Sequence, residues 1–134
     1  MQPMAFQVKL PIPYAEAIER VTEALRERGF GVLTQIDVKR TLKEKIEADF
    51  RPYVILGACN PHLAYRALKT EPKSGLLLPC NVTVEEIEGG ALVSIVNPEA
   101  MLTALEISTD SEICRVASEA RALLEDVAKA LLNG

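Results

Sequence analysis

The chain has 134 residues, 49% of them hydrophobic, and a formal net charge of −4 with neither sign gathered into a long run. That suffices for one α+β domain over residues 1–134 with its own core, and it offers no basic face to a phosphate backbone. Aromatic residues make up 4% and tryptophan is absent, so there is little to stack on bases and no nucleic-acid partner is expected.

No segment approaches the ~20 apolar residues that span a bilayer. The opening "MQPMAFQVKLPIPY" lacks a basic leader followed by a long apolar stretch. No membrane partner is expected, and the expected location is cytoplasmic. Cys59, Cys80 and Cys114 are odd in number and widely spaced, a pattern of reduced thiols rather than of a disulfide framework or a paired zinc knuckle.

The first element, "AFQVKL", alternates Phe6, Val8 and Leu10 with Gln7 and Lys9, a half-buried strand stopped by Pro11 and Pro13. From Tyr14 the period changes to 3.6, with Ile18, Val21 and Leu25 on one stripe and Gly29 ending the helix. "FGVLTQIDV" is a second strand. The next stretch predicts a short amphipathic helix, capped by Asp37, with Val38, Leu42 and Ile46 spaced by four; its basic "KRTLKEK" segment reads as a solvated face.

"YVILGAC", residues 53–59, is a near-continuous apolar run that predicts an interior strand, in which Gly57 marks a bulge or the close approach of a neighbour. Asn60 suits the N-cap of the next helix and Pro61 its first position, where a missing N–H removes no internal bond. Leu63, Ala64, Ala67 and Leu68 are expected against the sheet, and the helix ends before Pro72. "SGLLLPCNVTVEEIEGGALVSIV" predicts a long strand, a Gly89-Gly90 turn and a returning strand. Pro79 implies an edge, a bulge or a break, with Cys80 just beyond it. Asn97-Pro98 repeats the Asn-Pro transition at the end of the returning strand. Thr109 and Glu112 fit a capping box for a last helix carrying Ile113, Val116, Ala120, Leu124, Val127 and Leu131 on one stripe.

The Gly29-Phe30 transition, "GACNP" over 57–61, "LLLPCNVTV" and "IVNPEAML" carry a resemblance over nearly the whole chain. The chain resembles the prokaryotic family known as domain of unknown function 302, particularly its thermophilic single-domain representatives. The resemblance implies a two-layer α+β fold, helices against a mainly antiparallel sheet, and a homodimer; it implies no established reaction and no catalytic residue.

Site chemistry concentrates in "CNPH". The opening turn of a helix presents free N–H groups and a positive dipole end, which favour an anion or developing negative charge and would favour a thiolate at Cys59. His62, the only histidine, stands in that turn, and Cys80 is a second thiol able to join it. The ligand-binding candidates are therefore Cys59, Asn60, His62 and Cys80. Each has a plainer reading too: the cysteines as small core residues, Asn60 as a cap, His62 as a surface side chain. Cys59, His62 and Cys80 alone lack the fourth ligand of a closed zinc site, so no metal is assigned and the cofactor stays unknown. Nucleophile-turn, Walker, His-Glu-x-x-His and dinucleotide-glycine motifs are absent. Glu85, Glu86 and Glu88 read as a solvated strand end, and Tyr14, Tyr53 and Tyr65 as core-margin aromatics.

Three functions fit these residues. The first is a homodimeric small-ligand-binding or accessory domain with its site at the Cys59–His62 junction. The second is a thiol-dependent enzyme or redox sensor, which requires an accessible cysteine of depressed pKa. The third is a structural protein-interaction module, in which the junction matters only through capping and packing.

Overall fold

The computed structural model describes residues 2–134. Five strands form one antiparallel sheet in the order β1-β5-β4-β3-β2: β1 (Ala5–Leu10), β2 (Gly31–Asp37), β3 (Tyr53–Cys59), β4 (Cys80–Ile87) and β5 (Gly90–Val96). Five α-helices accompany them: α1 (Tyr14–Glu27), α2 (Val38–Ile46), α3 (Pro61–Thr70), α4 (Pro98–Leu105) and α5 (Ser111–Asn133). The result is the α+β arrangement of helices against an antiparallel sheet.

Alternation, interrupted in β3 by the buried Gly57, builds the inner face of the sheet. Val54, Leu56 and Ala58 of β3, Cys80, Val82 and Val84 of β4, and Ala91, Val93 and Ile95 of β5 are all buried. The 3.6 period of α5 supplies the matching stripe, burying among others Ile113, Val116, Leu124, Val127 and Leu131. Each such aliphatic side chain contributes about 1.5–3 kcal/mol on transfer from water. α1 adds Ala17, Val21, Ala24 and Leu25, and α5 touches α1, α3, α4 and β1, so it is the central strut of the helical layer.

Turn chemistry fixes the entry of several elements. After α1, Gly29 takes a φ of +84°, its N–H donates to Arg26 O and that of Phe30 to Leu25 O, the paired bonds of a Schellman stop. Phe30 is thereby driven into the core, 2% exposed. Gly57 is the expected point of close approach. A Cβ there would stand 2.2 Å from Thr34 Oγ1 and 2.7 Å from Pro79 Cγ, and the β2–β3 register shifts between Val32 and Thr34. Gly90 is similarly confined, since a Cβ would lie 2.0 Å from Leu10 O.

Several expectations are corrected. The long strand through Pro79 does not exist. Residues Pro72–Leu77 form a 3₁₀ turn, the Leu78–Pro79 peptide is cis, and β4 starts at Cys80 as an interior strand between β3 and β5. The hairpin loop is Glu88-Gly89, with Gly90 already paired to Ile87, so one of the two glycines serves the turn and the other the contact with β1. α5 is capped by Asp110, whose Oδ1 accepts from the N–H groups of Glu112 and Ile113, and not by Thr109; a carboxylate one residue later is the better acceptor at a positive helix end. α2 forms under its Asp37 cap, accepting from Arg40 N, yet buries none of its residues. Leu68, expected inside, is 41% exposed, because the buried stripe of α3 is Leu63 and Ala67.

Candidate functional site: an apolar cavity at the β3–α3 junction

β3 ends at Cys59, and Asn60 turns the chain into α3. The Asn60 Oδ1 accepts from Leu63 N at 3.2 Å, which meets one of the orphan donors of the first turn, and Pro61 occupies the position where no donor is needed. In the antiparallel register Ala58 stands opposite Cys80, both buried beneath the helices. Residues of α3, α4 and α5 meet at this end of β3 and β4. A cavity of about 70 Å³ is left between them.

Phe30, Ala58, Cys59 and Cys80 line the sheet end of this cavity, Leu63, Ala64 and Ala67 its α3 wall, and Val116, Ala117 and Ala120 its α5 wall. Leu77 of the 3₁₀ turn and Leu78 just after it, Pro98 and Leu102 from α4, and Ile113 of α5 also line it. No charged side chain contributes. Besides the thiols, the polar side chains on its lining are Ser74, whose Oγ donates to Ala67 O at 3.4 Å, and Asn60. One water requires ~10–15 Å³ on the same measure, so the space is several waters large and suits a short chain or a single ring rather than a nucleotide.

Burial governs the thiols. It pushes Cys80 up to about 11, with a smaller contribution from the neighbouring Cys59, and it raises Cys59 as well. At Cys59 the cause is loss of hydration on burial, which disfavours the thiolate. Neither has the depressed pKa that a thiolate nucleophile or redox sensor needs. Cys59 and Cys80 belong to one cavity but do not oppose each other on the ladder, where Cys80 faces Ala58. All three cysteines are free, and Cys114 is exposed on α5.

Of the four candidates, the structure brings together Cys59, Asn60 and Cys80 and leaves out His62. His62 is exposed on the first turn of α3, one position before the buried stripe, and is not part of the lining. Among the described residues, no group of three or more His, Cys, Asp or Glu side chains gathers to hold a metal ion. The sequence reading places Ala64, Ala67 and Ala120 on packed faces and assigns none of them to the site, where their small side chains leave the space. Ala64 with Ala67 and Ala117 with Ala120, each pair at a spacing of three, place small side chains on both walls, and that spacing was the available signal.

The two helical walls are tied across the outside. Arg66 of α3 donates through Nε and Nη2 to Glu112 at 3.1 and 3.2 Å, and through Nη1 and Nη2 to Glu119 at 3.0 and 2.8 Å. Arg115 adds a 3.2 Å bond to Glu112. These partners hold both carboxyls below the usual carboxylate range, Arg66 being the largest cause in each case.

The molecule is thus a helix-covered antiparallel sheet with a small apolar cavity at one end. The chain belongs to the family described as domain of unknown function DUF302, whose model matches residues 6–131. It is also similar to the crystal structure of an uncharacterized conserved DUF302 protein from Bacillus stearothermophilus, with a TM-score of 0.84, 30% identity, and coverage of 96% of this chain and 98% of that one. No curated protein matches the chain. These likenesses establish family and fold and indicate no specific function. No helix among the described residues is long and apolar enough to cross a membrane.

Proposed function

We propose that the chain is a small-ligand-binding or accessory domain whose site is the alanine-walled cavity beside Cys59, Asn60 and Cys80. The carrying observation is that facing elements both present alanine at a place where larger aliphatics would fill the space. A void the size of a methyl group costs ~1 kcal/mol, so a core serving stability alone would be expected to close it. The raised thiol pKa values disfavour the redox alternative and leave the cysteines as soft, uncharged wall. The test is Ala120→Leu, which projects three further carbons into the cavity. Small neutral compounds that shift wild-type NMR resonances around Ala58 and Ala117 should lose that effect in the folded variant. Unchanged binding in Ala120→Leu, or no binding by wild type across such a panel, rejects the site.

A second reading, self-association as a homodimer, is supported by a separate surface. β2 is an edge strand with unpaired backbone groups, and Leu33, Ile36 and nearby Ile46 of α2 are 69%, 47% and 68% exposed. A second copy would cover both the edge and the apolar side chains. Light scattering on Ile36→Lys tests it: the reading expects a dimeric wild type and a monomeric variant, and a monomeric wild type removes it. One domain in the cytoplasm is consistent with a single shared core and three unpaired thiols.

A further inference from the structure

The two helical walls of the cavity are unequally anchored. α5 packs against α1, α4, β1 and β5 as well as α3, and buries residues along its length from Ile113 to Leu131. α3 has α5 and the 3₁₀ turn as its substantial partners, with no strand among them, and buries only Leu63 and Ala67. Both of these line the cavity, so part of the inner face of α3 meets open volume instead of packed side chains. Its two ends are non-helical joints, Asn60 and Glu71, each in extended backbone and each followed by a proline. Ser74 Oγ donates to Ala67 O beside the second joint. What fastens α3 along its length lies outside: the Arg66 side chain, 33% exposed, reaches Glu112 and Glu119, about two turns apart on α5, which bracket the wall residues Ile113, Val116 and Ala117.

Resting on the cavity reading above, we infer that α3 is the lid of this cavity, hinged at Asn60 and Glu71 and latched to α5 by Arg66 through Glu112 and Glu119. A small molecule then enters and leaves by displacement of α3, with the rest of the fold intact. An element with little buried apolar surface opens at a lower free energy than the core beneath it, and α3 is such an element while α5 is not. The facing alanines suit the same role. Ala64 and Ala67 meet Ala117 and Ala120 across the cavity, so few interdigitated side chains have to be withdrawn when the helices part. The latch itself is ionic and faces solvent, so it holds without burying apolar surface and weakens with salt. Cys80, 7% exposed on the sheet side of the cavity, is uncovered when α3 lifts, and its thiol reports the opening.

The experiment labels the full chain with iodoacetamide at pH 8 in a urea series below the unfolding transition, and follows Cys80 by mass spectrometry of its peptide. Amide exchange at Val93, fully buried in β5, reports global opening under the same conditions. In wild type, Cys80 should react with little urea dependence and at least about tenfold faster than global opening allows. Arg66→Gln should speed that reaction roughly three- to tenfold, whereas Arg26→Gln, which removes an exposed ion pair within α1, should change it less than about twofold. Raising the salt from about 0.05 M to about 1 M should speed labelling of wild type roughly twofold or more and leave Arg66→Gln unchanged. Cys80 labelling that follows global unfolding in rate and urea dependence overturns the lid, as does an Arg66→Gln rate within about twofold of wild type. Equal acceleration at Cys80 and Val93 overturns it too, because Arg66 would then stabilise the whole fold and not the closure. These failures leave the cavity standing as a site, since its occupancy is decided by the Ala120→Leu comparison. If wild type binds none of the neutral compounds, the cavity reading falls, while the labelling still decides whether α3 opens.

Discussion

Substituting each Asn-Pro asparagine by aspartate tests the difference between the two junctions without any ligand. Asp retains an oxygen acceptor at either cap and loses the amide donors. At position 60 no donated bond is lost, and a carboxylate at a positive helix end contributes about 0.3–1 kcal/mol, so Asn60→Asp should leave stability unchanged or slightly increased. At position 97, 1% exposed, two donated bonds disappear and a carboxylate oxygen is turned toward Gln2 Oε1 and Pro3 O. Leaving such acceptors without donors costs about 1–3 kcal/mol each, and burying the charge adds to it, so Asn97→Asp should lose about 3 kcal/mol or more. That is roughly a hundredfold in the folding equilibrium. With a urea dependence of about 2 kcal/mol per molar, the midpoint should fall by about 1.5 M. A loss under about 1 kcal/mol at position 97, or a comparable loss at position 60, would refute the claim that one amide is consumed by the fold and the other is spare.

Three further outcomes follow from the same geometry. Gly57→Ala should lower stability by about 1–3 kcal/mol in thermal unfolding, because Thr34 Oγ1 and Pro79 Cγ occupy the space a methyl group would need; an unshifted Tm contradicts the close approach. Glu112 and Glu119 have folded pKa values lowered by Arg66, so their contribution is fully present above the unfolded value of about 4.3 and is lost as pH falls through the lowered folded values. Wild type should lose stability over that acid range more steeply than Arg66→Gln, and identical acid profiles would discount the network. Thiol alkylation of the folded protein at pH 8 should proceed in the order Cys114, then Cys59, then Cys80, following exposure and the burial-raised pKa values; a fast Cys80 would place it outside the cavity wall.

Periodicity made most of the scaffold legible. Alternation in "AFQVKL", the four-residue spacings before Gly29 and in the last helix, and the apolar "YVILGAC" correspond to β1, α1, α5 and β3. Local chemistry was also readable where one residue type satisfies one backbone need, as at Asn60, Asn97, Asp37 and Gly57. Elements whose character depends on what lies opposite were not. "SGLLL" has the composition of a strand, but Pro72–Leu77 form a 3₁₀ turn and β4 starts only at Cys80. Leu42 and Ile46 have helical spacing with no core to face. His62 and Leu63 are neighbours in sequence, and only the rotation of α3 about its axis puts one in water and the other beneath the helices.

The same principle separates scaffold from site at the junction itself. Asn followed by Pro solves a mechanical problem twice, ending a strand, capping a helix and supplying a first residue that needs no N–H. At Asn97 the amino-terminal segment takes up the remaining donors, and the residue is spent on structure. At Asn60 the amide nitrogen packs against Gly29 and has no hydrogen-bond partner among the described residues. Asn60 borders the alanine-walled cavity and Asn97 does not, which is the structural difference between the β3–α3 junction and its β5–α4 counterpart.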